Sequence, residues 1–285
     1  MKIKRLIDLP KEIFKLPLLE RILAALTNNK NPNQFIARLP PLYRVYPKNS
    51  FRKVTRNGIK YELDISDYME WLVFYGIQAE PRNTLYQLLK EGDMAFDVGA
   101  NIGEVTFGMS RRVGNLGMIH SFEPEPFIFS KISRNLGLNS FTNICLNNVA
   151  LGDKEEELFL KAQVENNRGG TRIHTNSKEG KKVKVTTLDF YVQQNDLKKL
   201  DLIKIDVEGF EMKVLQGAQE VLQKFKPLLF IEVNDGNLKA QADSAQSLIE
   251  FLFKMGYTKI EHSENKTIIT TSTDFTNCHF DIIAQ

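Results

Sequence analysis

Three short segments carry the residue types and spacings of this chain best suited to chemistry. The first is Asp97-Val98-Gly99-Ala100-Asn101-Ile102-Gly103, which follows an apolar run and opens a helical one. Gly99 allows a sharp turn and Gly103 a close approach of chain or ligand. The spacing is GxxxG rather than the GxGxxG of a dinucleotide site, whose pyrophosphate needs a tight nest of amide donors. Asp97 at the strand end is placed to accept from a cationic amine. An acidic residue beside the glycines suits S-adenosylmethionine, which has no phosphate and carries an ammonium and a sulfonium.

The second segment is Ser121-Phe122-Glu123-Pro124-Glu125-Pro126. Glu123 ends the next apolar run, about 20 residues beyond the glycine loop, where a carboxylate accepts from ribose hydroxyls. Glu125 reads as a solvated neighbour. The third is Ile203-Lys204-Ile205-Asp206-Val207-Glu208-Gly209-Phe210-Glu211. A period of two sets Lys204, Asp206 and Glu208 on one side and Ile203, Ile205 and Val207 on the other. Charge on a central strand is costly unless it is paired or sits at the strand's open end. Asp206 and Glu208 are therefore candidates for a general base toward an acceptor hydroxyl. Two other readings stand beside that one: a metal site, or simple pairing with Lys204. No residue is assigned to a metal, and His120, His174, His262 and His279 lack ligand spacing. His120 is expected within a sheet and His262 on the surface. Glu232, at the end of another apolar run, faces either the cleft or the core. Residues 165–176 read as a polar loop whose Arg168, Arg172 and His174 either contact an acceptor or are simply solvated.

The elements that must position these residues are legible as alternating strands and helices from Asp93 onward. Strands are predicted at 94–98, 118–122, 144–151, 202–206 and 228–233, with further strands at 158–160 and 182–186 and closing ones at 267–271 and 280–283. Helices are predicted at 104–112, 127–137, 209–225 and 240–255. Such alternation gives an α/β fold, a Rossmann-like parallel sheet with helices on both faces and ligands beyond the carboxyl ends of its strands. Ahead of it, residues 52–64 with Asn57-Gly58 predict a β-hairpin, and 68–90 read as helical pieces. Residues 1–50 read as a helical extension, and 51–285 as the main domain, divided into a hairpin and cap (51–92) and a core (93–285).

The chain of 285 residues is 42% hydrophobic and 26% charged, with 38 basic and 35 acidic residues. That suffices for a sizeable core, and the even charge argues against nucleic acid as a partner. Cys145 and Cys278 read as two buried thiols in a reducing compartment. Acidic residues interrupt the apolar run at the N-terminus, so the chain reads as soluble and cytoplasmic. That segment is either a helix packed on its own domain or an amphipathic helix in peripheral contact with a membrane surface. The oligomeric state is left open.

At these motifs the chain resembles the FkbM family of methyltransferases. The matching pieces are FDVGANIGEVTF (96–107), FEPEP (122–126), NNVALGD (147–153), TTLDFY (186–191) and IKIDVEGFEMKVLQGA (203–218), with RNGIKYELD at 56–64. The resemblance implies a class I methyltransferase sheet of seven strands, the last antiparallel. It implies that Asp97, Gly99, Ala100, Asn101, Gly103 and Glu123 hold S-adenosylmethionine, with Asn148, Val149 and Ala150 near the adenine. It also implies O-methyl transfer to a hydroxyl of a sugar, glycan, lipid or natural-product acceptor. Two other readings remain. A nicotinamide oxidoreductase would need the GxGxxG loop that is missing here, and a non-catalytic binding module would keep the fold without turnover. A nucleic-acid methyltransferase would need an NPPY-type segment where IDVEG stands.

Overall fold

In the computed structural model of the chain, residues 13–77, 82–164, 167–174 and 180–285 are described. Five parallel strands build the centre of a seven-stranded sheet: β3 (Met94–Val98), β4 (Met118–Phe122), β5 (Ile144–Asn147), β10 (Leu202–Ile205) and β11 (Leu228–Asn234). β12 (Ile260–His262) and β13 (His279–Ala284) complete it in the order β12-β13-β11-β10-β3-β4-β5. β13 runs antiparallel to both its neighbours, β11 and β12. This is the expected class I sheet, and its order reverses between β3 and β10. The glycine loop after β3 and the IDVEG segment after β10 therefore leave from adjacent strands at the crevice where such sheets bind ligands.

Local chemistry explains where the helices begin. α5 (Pro126–Gly137) opens with Pro126 and is capped by Glu125, whose side chain accepts from Ile128 N at 2.8 Å. Glu125 is thus a helix cap rather than a solvated neighbour. α4 (Glu104–Val113) starts directly from the glycine loop, with Gly103 left-handed at its N-cap (φ 88°). α10 (Ala245–Lys254) begins on a reciprocal Ser244–Ser247 capping box. Between the sheet and its helices lies a core of Phe96, Val98, Ile203, Ile205, Leu229, Ile231 and Leu248, all buried.

Five boundaries differ from the sequence reading. The expected strand at 144–151 breaks after Asn147, and β6 (Ala150–Leu151) joins a separate four-stranded sheet with β9 (Lys181–Thr186), β7 (Glu156–Val164) and β8 (Asn167–His174). Part of the expected loop at 165–176 is therefore strand, because β7 and β8 pair antiparallel. The side chains of Arg168, Arg172 and His174 lie outside the described residues. The expected helix at 209–225 is two, α7 (Glu211–Gln216) and α8 (Gln219–Phe225), broken where Gly217 packs on Gly152. Likewise the expected 240–255 helix is α9 (Asp235–Ala240) followed by α10, with Ala242 left-handed between them. The sixth strand is β12; residues 267–271 contribute an isolated bridge from Ile268 to Glu261.

Ahead of the sheet, α1 (Pro17–Leu26), β1 (Phe51–Arg56), β2 (Ile59–Asp64) and α2 (Tyr68–Tyr75) form one packed unit. The hairpin turns at Asn57-Gly58, both left-handed (φ 47° and 76°), as a two-residue primed turn requires. Leu23, Ala24, Tyr61, Trp71 and Tyr75 share a core that continues to Ile102, Phe107 and Ile132 of the main sheet's helical layer. α3 (Arg82–Leu88) then leads into β3. Cys145 and Cys278 are free and half-buried rather than fully buried. His262 lies in β12, half-buried rather than on the open surface, with its ring on Phe280. Among the described residues no helix is long and apolar enough to cross a membrane.

Candidate active site

A cavity opens at the carboxyl ends of β3, β4, β10, β11 and at the start of β13. One side of it is built by the glycine loop. Gly99 is left-handed (φ 84°), and a Cβ there would sit 1.9 Å from the Asp206 carbonyl oxygen. The loop after β3 is thus pressed against the loop after β10, and only glycine fits between them. Gly99 N and Ala100 N both donate to Phe122 O at 3.0 Å, which turns the loop toward the end of β4. Asn101, also left-handed (φ 49°), aims its N–H at Glu123 Oε2 at 2.9 Å.

Glu123 is held by the backbone. Its second oxygen, Oε1, accepts from Glu125 N at 2.9 Å, while its own N donates to Asn147 O at 3.0 Å. Burial pushes its carboxyl up to about 7, and the two backbone N–H donors oppose that rise. Val149, Ala150, Leu151, Phe122 and Ile128 provide an apolar wall beside it. Asn148 is not on that wall: its side-chain amide turns back and donates to Glu123 O (2.8 Å) and Pro124 O (3.1 Å).

The other side is acidic. Asp206, Glu208, Glu232 and Asp281 all line the cavity, with Lys204 and His279 among them. The alternation of β10 holds for Lys204 and Asp206, which share a side and pair at 3.4 Å. It stops before Glu208, which lies past the strand end in a left-handed turn (φ 55°) and accepts from Asn237 Nδ2 at 3.0 Å. Gly209 follows, also left-handed (φ 104°), where a Cβ would meet Asn237 O at 2.4 Å. Glu211 accepts from Val207 N and Gly209 N at 3.0 Å each and so fixes this turn from within; burial lifts its carboxyl to about 7. Glu232 is pushed well above the ordinary carboxylate range by burial and then by the carboxylates of Asp206, Glu208, Glu211 and Asp281. His279 Nε2 lies 2.9 Å from Glu232 Oε1.

Asp97, expected to contact a ligand, does not line the cavity itself. It is buried off the cavity wall: Oδ2 accepts from Thr106 Oγ1 at 2.6 Å, and Oδ1 faces Lys204 Nζ at 3.3 Å. Lys204 also donates to Gly99 O at 3.1 Å, so one buried ammonium ties Asp97, the glycine loop and Asp206 together. Gly103 likewise stands off the wall; a Cβ there would strike Ile132 of α5 at 2.6 Å, so its smallness serves packing. Gly99, Ala100, Asn101, Glu123, Val149, Ala150, Asp206 and Glu208 are brought together around the cavity. Lys204 was visible in sequence only as a pairing partner. His279 and Asp281 sit more than 60 residues beyond the last motif, on an antiparallel strand whose register no local pattern reveals. His120 is a buried sheet residue bonded to Tyr191 OH at 2.8 Å. Among the described residues no group of three or more His, Cys, Asp or Glu side chains is arranged to hold a metal ion.

The donor set fits a cationic nucleoside better than a dinucleotide. A buried carboxylate stands beside an apolar wall, and the adjoining rim is acidic, with its one lysine already shared by Asp97 and Asp206. A pyrophosphate would meet repulsion there, whereas an ammonium and a sulfonium are attracted.

The family match agrees with that fit. The methyltransferase FkbM domain matches residues 97–259. Among curated proteins, the chain is 26% identical to "Methyltransferase 1" of Beauveria bassiana, over 54% of this chain and 69% of that protein. It is 28% identical to the hexuronic acid methyltransferase AglP of Haloferax volcanii, over 65% of this chain and 73% of that one. The crystal structure of a methyltransferase FkbM from Methylobacillus flagellatus superposes with a TM-score of 0.47 and 17% identity, covering 72% of this chain and 48% of that one.

Proposed function

We propose that this chain, which belongs to the FkbM family of S-adenosylmethionine-dependent methyltransferases, methylates a hydroxyl oxygen of a neutral, sugar-like acceptor. The observation that carries this reading is the acidic rim of Asp206, Glu208, Glu232 and Asp281 beside the glycine loop. Carboxylates accept from hydroxyl groups, and sugars present several of these at once. The same rim opposes a free carboxylate on the acceptor through like-charge repulsion. The Haloferax volcanii relative, a hexuronic acid methyltransferase, supports a sugar-type acceptor at a distance, but its named acceptor carries a carboxylate, so the preference for a neutral sugar rests on the acidic rim alone.

S-adenosylmethionine supplies a methyl group already activated on a sulfonium. Gly99, Ala100 and Asn101 with Glu123 would hold it, Glu123 accepting from the ribose hydroxyls and Val149 and Ala150 flanking the base. Asp97 and Gly103 act behind them, Asp97 through Lys204 and Gly103 by admitting α5. An alcohol is a weak nucleophile, so a carboxylate that takes its proton as the new C–O bond forms accelerates transfer. Asp206 is the first candidate for that base, because Lys204 fixes one of its oxygens and leaves the other for the acceptor. Glu208, steadied by Asn237, is the second.

Three measurements test this. S-adenosylhomocysteine at about 100 times its dissociation constant should add about 2.7 kcal/mol to stability and raise the unfolding midpoint. With labelled cofactor, a neutral pyranoside should accept methyl faster than its matching uronate. Asp206→Asn should lower kcat about 100-fold while leaving S-adenosylhomocysteine affinity within about threefold. Absence of any thermal shift would return the chain to a fold without turnover. Methyl ester formation on the uronate would replace the hydroxyl reading with a carboxylate one.

A further inference from the structure

Helix α1 is apolar on two sides, and among the described residues only one of them is covered. Leu23 and Ala24 are buried with α2 and the hairpin, and Thr27 Oγ1 donates to Tyr75 O at 2.6 Å. Glu20, the helix's only acid, is turned inward and bonded to Arg52 Nε at 2.5 Å. The other side carries Leu18, Ile22 and Leu26, spaced four apart and so aligned in one stripe. These are 71%, 46% and 53% exposed. Ile13 and Leu16 just before the helix and Phe35 after it are exposed as well, Phe35 at 77%. On a helix at a water-facing surface this side is where charged residues belong. Here Arg21 alone supplies charge, so the face is built to meet something apolar.

The charge of the segment that carries the stripe points to what that is. Between residues 13 and 50 stand six basic residues, Lys15, Arg21, Lys30, Arg38, Arg44 and Lys48, against the single acid Glu20. Because Glu20 is spent internally, every exposed charge of this segment is positive, Arg21, Arg38, Arg44 and Lys48 among them. A second copy of the chain would bring this positive surface against itself, which opposes a symmetric contact. An anionic bilayer meets both needs, apolar side chains entering the acyl boundary and basic ones reaching the headgroups. We propose that the Leu18–Ile22–Leu26 face of the N-terminal unit docks the enzyme on an anionic phospholipid surface. The same unit lends Tyr68 and Met69 of α2 to the cavity wall. Nothing in this inference depends on the identity of the methyl acceptor.

The test is co-sedimentation of the full chain with vesicles of phosphatidylcholine alone and of phosphatidylcholine mixed with phosphatidylglycerol. The chain is expected to pellet with the mixed vesicles, and less so as salt rises. The double variant Leu18→Glu/Ile22→Glu should lower the bound fraction about tenfold or more. It should keep its thermal midpoint and its shift with S-adenosylhomocysteine, since both side chains are exposed. Arg38→Glu/Arg44→Glu provides a second reading through charge alone. Wild-type protein that stays in the supernatant with anionic vesicles overturns the proposal, as does pelleting indifferent to both double variants. Light scattering that shows a dimer dissociated by Leu18→Glu/Ile22→Glu would assign the face to a second copy and overturn it equally.

Discussion

The two walls of the cavity treat buried carboxylates in opposite ways. On the side of β3 and β4, Glu123 is answered by two backbone N–H groups, from Asn101 and Glu125. On the side of β10, β11 and β13, Glu232 is surrounded by Asp206, Glu208, Glu211 and Asp281, with His279 as its bonded neighbour. Both carboxyls are raised by burial; Glu125 adds to the first, whereas four carboxylates add to the second. The first arrangement is pre-organised to bind, since its donors are fixed before a ligand arrives. The second stores electrostatic tension that a proton or a cation relieves, which is the usual setting of reactive groups.

Lys204 sits where the two walls meet, and removing it should produce the largest effect. Lys204→Met leaves Asp97 buried beside an unfilled charge and frees Asp206 from its anchor. Urea titration should show a loss of about 3–5 kcal/mol, as for other broken buried pairs. A loss below about 1 kcal/mol would mean that the walls hold each other by backbone contact alone.

Glu123→Gln tests the binding wall by itself. Its hydrogen bonds from backbone N–H are charge-assisted, and the neutral amide should weaken S-adenosylhomocysteine about 10- to 100-fold by calorimetry. The pH dependence of the free protein follows from the same group. A carboxyl at about 7 when folded and near 4.5 when unfolded binds more protons in the native state between those values. Stability therefore falls as pH rises from 4.5 toward 7, by up to about 3 kcal/mol for each such group. Glu211, also raised to about 7, contributes in the same window. Glu123→Gln should flatten that slope, and an unchanged slope would assign it elsewhere.

The reactive wall predicts the reverse outcome. Glu232→Gln removes a charge that its neighbours disfavour, so stability above neutral pH should hold or rise by about 1 kcal/mol, read as the thermal midpoint against pH. A clear loss there would show that Glu232 is held as an ion by His279 and erase the contrast between the walls. The smallest effect is expected from Asn148→Ala. Its amide supports the carbonyls of Glu123 and Pro124 from behind. Cofactor affinity should fall about threefold to tenfold, against the larger change from Glu123 itself.

Taken by itself, the sequence determined the alternating core, the hairpin turn at Asn57-Gly58, the glycine loop and the carboxylates at 123, 206 and 208. Each of these is a local pattern: a period of two or 3.6, a left-handed turn residue, a short motif after an apolar run. Tertiary structure alone decided which charges face the cavity and which face each other. Asp97 reads in sequence like a ligand contact, yet Lys204 from another strand claims it. Gly103 reads in sequence as admitting either chain or ligand, and Ile132 of a later helix decides for the chain. Glu232 and His279 meet only because β13 inserts antiparallel beside β11, pairing Asn234 with His279 in a register set by the whole sheet. Hydrophobic period and turn chemistry act over a few residues, and so they can be read along the chain. Charge pairing acts over a few ångströms between strands far apart in sequence, and only the assembled sheet brings those partners within reach.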